Sequence, residues 1–273
     1  MSDLMRYLAE RRQMVDDALL RYLPPAATPP RRLHEAMHYS VFAAGKRLRP
    51  ILCMAACEAV GGCAEAALLP GIAIEILHTY TLIHDDLPAM DDDDLRRGKP
   101  TNHKVFGEAN AILAGDALLT LAFEWLGQCR VPEPYTPGAL VVALARAAGS
   151  QGVVGGQVAD LAAEGQTPDA AMLEYIHLHK TAALIQAAVS IGAMVGGATS
   201  AELDAVSRYG ANVGLAFQIA DDVLNETSTP EKLGKAVKSD AKRGKVTYAS
   251  LYGLAAFPSF SGVDVSFRTS SAI

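Results

Sequence analysis

Two aspartate pairs, Asp85-Asp86 and Asp221-Asp222, each close an otherwise apolar helical run, and any fold of this chain has to accommodate both. Residues 72–84 are mostly apolar, and a 3.6-residue period places His78, Thr81 and Asp85 on one face of a buried helix. Downstream, Gln218, Asp221, Asp222 and Asn225 recur at i, i+3, i+4 and i+7, beside an apolar stripe of Leu215, Ile219 and Val223. Six aspartates, Asp85, Asp86 and Asp91 to Asp94, fall within ten residues, and Arg96 and Arg97 follow at once. Pro88 disfavours helix at Leu87, so the chain should leave the helix there and carry Asp91 back in a loop. One acidic run alone reads as a solvated loop with a salt-bridged arginine pair. A calcium loop does not fit, because the required Gly and terminal Glu are missing from their offsets. Two acidic pairs on apolar helices point instead to facing helices with a shared cavity. Hard divalent cations neutralise such carboxylates, and Mg²⁺ shares its shell with substrate phosphates. Guanidinium groups at Arg96 and Arg97 suit the same phosphates.

The rest of the chain reads as all-α. Ala and Leu abound, alternating β-rich runs are nearly absent, and half of the 273 residues are hydrophobic, enough for one large core. Breaks are expected at 24–30, 61–63, 130–137, 165–168 and 196–200. Thr136-Pro137, Thr167-Pro168 and Thr229-Pro230 each read as an N-cap followed by Pro at the first helical position. Helices are expected over 31–43, 102–128 and 141–163, the last carrying Gln157 and Asp160 at i and i+3. The amphipathic segment 3–23 should lie outside the bundle with no chemistry of its own. A net charge of −6 disfavours nucleic acid as a partner. Cys53, Cys57, Cys63 and Cys129 lack disulfide or zinc spacing and read as reduced thiols, which suits a cytoplasmic protein. Residues 1–20 carry charges throughout, with no signal peptide pattern. The most membrane-like stretch, 182–198, holds Gln186, Ser190 and three glycines, and reads as a buried helix rather than a transmembrane segment.

With these motifs together the chain resembles the trans-polyprenyl diphosphate synthases, of the bacterial farnesyl or geranylgeranyl type. The resemblance rests on DDLPAMD from Asp85, DDVLN from Asp221, GKRLRP at 45–50, RRGKPTNHK at 96–104, GQVAD at 156–160, HKT at 179–181, FQ at 217–218 and GK at 234–235. It covers 1–254 as one polyprenyl synthase domain. It implies the isoprenoid synthase fold, a single-domain helical bundle around an apolar cavity, and a homodimer formed through helices near 102–128. It further implies that Lys46, Arg49, His78 and Arg97 bind the diphosphate of isopentenyl diphosphate. Arg96, Lys180, Thr181, Gln218, Lys235 and Lys245 would bind the allylic diphosphate. Asp85, Asp91 and Asp221, supported by Asp86 and Asp222, would hold three Mg²⁺ ions with substrate bound. The catalytic set would be Asp85, Asp86, Arg96, Lys180, Asp221 and Lys235, with Phe217 shielding an allylic cation. Tyr80 and Thr81 precede Asp85 by five and four residues, about 6–8 Å along a helix. In the family these positions set product length, and an aromatic at Tyr80 favours farnesyl over geranylgeranyl diphosphate.

Two features depart from the family pattern. Asn225 stands where the second motif usually ends in Asp, and Glu226 is the available substitute. Residues 255–273 form an atypical tail, with three of the seven phenylalanines in FPSFSGVDVSFRTSSAI and no helical period. These departures keep open a catalytically impaired partner subunit of a longer synthase. A terpene cyclase would share the fold and the metal chemistry, but would not need Lys46, Arg49 and Arg97.

Overall fold

The computed structural model describes residues 2–167, 169–227, 245 and 247–253. These form an antiparallel-type helical bundle of α1 (Asp3–Tyr22), α2 (Arg31–Val41), α3 (Leu48–Ala59), α4 (Leu68–Asp85), α5 (Asn102–Phe106), α6 (Glu108–Gly127), α7 (Pro137–Ala148), α8 (Val153–Ala163), α9 (Ala170–Ile176), a π-helix (His177–Ala182), α10 (Ala183–Val195), α11 (Ser200–Thr227) and α12 (Tyr248–Tyr252). The two central rods are α4 and α10. In α4 the run Ile72, Ala73, Ile74, Ile76 and Leu77 is wholly buried, and α10 is buried from Leu184 to Gly192 except at Gln186. That all-round burial follows from helices apolar on every face. Helix α4 lies against α6 and α3, while α10 joins α3 to α11. The first acidic motif therefore ends a rod anchored in the core, while the second rides on α11, which packs against α10 and the π-helix. Ala170–Val195, which contains α10, and the stretches Glu108–Gly127 and Pro137–Ala163 are long and apolar enough to cross a membrane by length and composition.

The expected break points hold, and the Thr136 cap forms, with its side chain accepting from Ala139 N. Three expectations need correction. The helix expected over 102–128 is two helices, because Gly107 sits at φ +84°, a backbone no helix contains. The helix expected over 141–163 is also two, α7 and α8. A Cβ on Gly152 would stand 2.0 Å from the Ala147 carbonyl oxygen, so the chain folds back here through glycine. Helix α9 is capped by Asp169, whose carboxylate accepts from Ala171 N, and not by Thr167. One element was not expected at all. Leu95–Arg96 and Lys99–Pro100 pair antiparallel, and Arg97 at φ +53° with Gly98 at φ +76° makes the two-residue turn. Thr229-Pro230, Lys235 and the tail at 255–273 lie outside the described residues.

Candidate active site

The first acidic motif is built at the C-terminal end of α4. The helix stops at Asp85, Met90 N donates to Leu87 O at 2.9 Å, and Asp91 N donates to Asp85 O at 2.8 Å. The loop thus returns Asp91 to Asp85, as Pro88 led us to expect. Burial, joined by the charges of Asp91 and Asp86, pushes the Asp85 carboxyl up to about 6, against the pull of Lys180 and Arg96. Asp86 points to a different partner. It is 3% exposed, and Arg96 Nε lies 2.7 and 2.9 Å from its two oxygens. Burial still raises the Asp86 pKa. The β-hairpin that carries Arg96 therefore divides the pair: Asp85 faces Asp91 and Lys180, while Asp86 is gripped by a guanidinium.

In the second motif, hydrogen bonds gather on Asp222. Asp222 is buried, with Oδ1 accepting from Gln218 Nε2 at 2.9 Å and Oδ2 from Tyr248 N at 2.9 Å. The Gln218 carbonyl in turn accepts from Thr181 Oγ1 at 2.7 Å. His177 Nε2 is 3.4 Å from Asp222, and burial lowers the His177 pKa to about 4, so the ring is neutral. Asp221 is half-buried, and Asn225 is 2% exposed. So Thr181 and Gln218, expected at a diphosphate, here form a chain that fixes Asp222.

Between the motifs lies the π-helix. Its wide turn is clamped from two sides by close backbone approach. A Cβ on Gly156 would stand 2.2 Å from Lys180 N, and one on Gly214 would stand 2.5 Å from Ala182 Cα. Lys180 Nζ donates to Asp160 Oδ2 at 2.6 Å, and Lys245 Nζ reaches the same oxygen at 3.1 Å and Asp91 Oδ1 at 3.0 Å. Burial would raise the Asp160 pKa, but the two ammonium groups more than reverse that. Burial likewise opposes the Lys245 charge, and Asp160 and Asp91 overcome it. One helical turn before Asp160, Gln157 is 7% exposed, and its amide N and O have no hydrogen-bond partner among the described residues. Buried polar atoms are rarely left so, which marks Gln157 as a group a ligand or water would satisfy.

A second, cationic locus lies where the α2–α3 connection, α4 and the hairpin meet. Burial drives the His78 pKa well below its ordinary value, and Arg49, Arg97, Arg96 and Arg47 add to the effect in that order. Burial also lowers Arg49, to about 10, and Arg97. The Arg49 Nε is buried without a hydrogen-bond partner among the described residues. Arg97 Nη1 lies 3.4 Å from Ala43 O and only 2.6 Å from where a Cβ on Gly45 would stand, so a side chain there would expel it. Lys46 is exposed beside this group. Such a cluster of mutually repelling cations is suited to a multiply charged anion.

Tyr80 is half-buried against the core and meets His84 edge-on, with ring centroids 5.1 Å apart. Thr81 spends its hydroxyl on His78 O at 2.8 Å. Glu75 was missed by the sequence reading. It is 3% exposed in an otherwise apolar run, and a lone acid in such a run is itself a signal, since buried carboxylates need partners.

The carboxylates provide the hard oxygen donors that Mg²⁺ requires. Burial, with the charges of Asp91 and Asp86, raises the Asp85 pKa, and a divalent cation at the carboxylate would offset both. Among the described residues no three acidic, His or Cys side chains converge into a complete cage.

Residues 30–262 match the polyprenyl synthetase family. The chain is 49% identical to a farnesyl diphosphate synthase of Geobacillus stearothermophilus over 253 residues, covering 92% of this chain and 84% of the relative. It is 48% identical to a geranylgeranyl diphosphate synthase of Cyanophora paradoxa over 254 residues, again covering 92% and 84%. Among solved structures, a geranyltransferase from Helicobacter pylori complexed with magnesium and isoprenyl diphosphate superposes with a TM-score of 0.83 at 31% identity, covering 94% of this chain and 86% of that one. The two acidic helices, the cationic locus between α2 and α4, and a match that spans most of the chain lead to one conclusion: the chain belongs to the polyprenyl synthetase family and has its all-α isoprenoid synthase fold.

Proposed function

We propose that this trans-prenyltransferase condenses isopentenyl diphosphate head-to-tail with dimethylallyl and then geranyl diphosphate, and stops at the fifteen-carbon product, farnesyl diphosphate. The observation that carries the stopping point is Tyr80, which precedes Asp85 by five residues on α4 and braces edge-on against His84. A bulky ring there limits how far a growing chain can extend past the acidic motif.

In this reading Lys46, Arg49, His78 and Arg97 hold the isopentenyl diphosphate, and the low pKa of His78 leaves it a neutral hydrogen-bonding group. Lys180 and Lys245, with Lys235 from outside the described residues, hold the allylic diphosphate. Asp85, Asp91 and Asp221 are the main Mg²⁺ ligands, with Asp86 and Asp222 in support. Held there, Mg²⁺ would supply positive charge that helps the diphosphate leave. Ionisation breaks the C–O bond and leaves an allylic cation, which the apolar cavity and Phe217 shelter from water. The isopentenyl double bond then attacks that cation, and the proton lost from the adduct passes to the departed diphosphate. Arg96 enters this scheme through Asp86, to which its Nε donates. The exposed Ile112 and Leu113 on α6 support a homodimer across that helix. The reduced, framework-free cysteines support a cytoplasmic setting.

A twenty-carbon product is the second reading, favoured by the geranylgeranyl diphosphate synthases among the relatives. The test is elongation of labelled isopentenyl diphosphate with Mg²⁺ and each of dimethylallyl, geranyl and farnesyl diphosphate. Arrest at fifteen carbons is expected. Continued growth would move the chain to the second reading. A folded chain that makes nothing would point to a partner subunit, with Asn225 the first residue to revert.

A further inference from the structure

Three cations fall within the four residues Lys46 to Arg49, and they divide into two tasks. Arg47 is 5% exposed and stands at φ +52° as the N-cap of α3. Each of its three nitrogens donates to protein. Nε donates to Asp16 Oδ1 at 2.9 Å, one Nη to Glu75 Oε1 at 3.0 Å, and the other to the Val41 carbonyl at 2.7 Å. Burial alone would lower its pKa, but Glu75 and Asp16 hold it above the ordinary value. One guanidinium thus ties together α1, α4 and the end of α2. Its left-handed backbone is one that a residue with a Cβ adopts only at a cost. That turn lets Lys46 stay at the surface while Arg49 joins His78 and Arg97 inside. Glu75 acts beyond Arg47 as well, because its charge also favours the ionised forms of Arg49 and Arg97.

We infer that Arg47 is a positioning residue, a guanidinium pinned by Asp16 of α1 and Glu75 of α4, which sets Lys46 and Arg49 for the isopentenyl diphosphate without touching it. The inference rests on the proposed function for the identity of that ligand. It also gives α1, a helix with no chemistry of its own, a part in substrate affinity. A guanidinium that merely attracted the diphosphate would be replaceable by any cation. A guanidinium that orients the loop would not be, because a single ammonium cannot reproduce a fork spread over three acceptors on three elements.

The test is calorimetric titration of the full chain with isopentenyl diphosphate, alongside thermal melts and steady-state KM values for both substrates, for Asp16→Asn, Arg47→Lys and Arg47→Met. Asp16→Asn and Arg47→Lys should melt within a few degrees of the wild type. Both should bind isopentenyl diphosphate about tenfold more weakly, as loss of a hydrogen bond to a charged group implies. The KM for geranyl diphosphate should not change. Arg47→Met leaves two acids facing an apolar side chain, so if it fails to fold the two milder variants decide. Folded Asp16→Asn and Arg47→Lys proteins that bind like the wild type would overturn the positioning role and leave the proposed function standing. A wild type that binds no isopentenyl diphosphate would overturn both.

Discussion

Replacing Asp85 by Asn should make the metal-free chain more stable while abolishing its chemistry. Burial holds the Asp85 carboxyl at about 6, where its ordinary value is 3.8. The folded chain therefore binds that proton more tightly than the unfolded chain does. The stability deficit begins as pH rises past the lower value and is complete above the higher one. Near neutral pH the ionised carboxylate costs about 3 kcal/mol. Asn keeps the size and one oxygen but removes the charge, so a gain of about 2–3 kcal/mol is expected, or roughly 4–10 °C in Tm for a chain of this length. Prenyl transfer should fall by at least about a hundredfold, as when a group that stabilises developing charge is lost. The assay is thermal unfolding in chelator across the acidic and neutral range, with product formation measured in parallel. The Asn variant should lead near neutrality, and its lead should shrink below pH 6 and vanish toward the ordinary carboxyl value. A lead that ignores pH, or no lead at all, would refute the argument from burial.

Three further outcomes can be checked. Tyr80→Ser should shift the product from fifteen toward twenty carbons by chromatography of the hydrolysed alcohols, and an unchanged fifteen-carbon product would place the floor elsewhere. Gly156→Ala gains about 1 kcal/mol of helix propensity but forces a methyl group against Lys180 N, and overpacking of this kind costs about 1–3 kcal/mol. The net expectation is a modest fall in Tm with a disproportionate loss of allylic affinity, and wild-type kinetics would argue that the π-helix yields freely. Asn225→Asp restores a carboxylate to the second motif and should lower the half-saturating Mg²⁺ concentration severalfold in a rate assay.

The aspartate pairs were legible because charge on an apolar rod demands a counter-charge, and the return of Asp91 followed from Pro88. The resemblance set Asp85 and Asp221 above Asp86 and Asp222, but the contacts that hold Asp86 and Asp222 were not legible. They come from a hairpin clasping Asp86 and from a Gln218–Thr181 chain clasping Asp222. The helical architecture could be read from periodicity, whereas the breaks at Gly107 and Gly152 could not. Glycine inside a helical pattern is usually tolerated, and only the tertiary path decides otherwise. The hairpin escaped notice because two-residue strands leave no alternation to detect, though Gly98 after Arg97 was a usable turn signal. Arg47 could not be told from Lys46 and Arg49 by composition, and only its three acceptors separate them.

The wide turn at His177–Ala182 also matters for how this chain can change over time. Because it carries more residues per turn than its neighbours, it acts as a phase slip between two lengths of one continuous rod. Upstream, α9 packs with Tyr248 and Leu251 in a small satellite cluster, while downstream α10 is gripped by the main core. Substitutions that retune one length need not rotate the other, since the slip between them absorbs the mismatch. Lys180, proposed above to hold the allylic diphosphate, sits in the slip itself, so it can be re-aimed by small adjustments there without disturbing the packing of either helix.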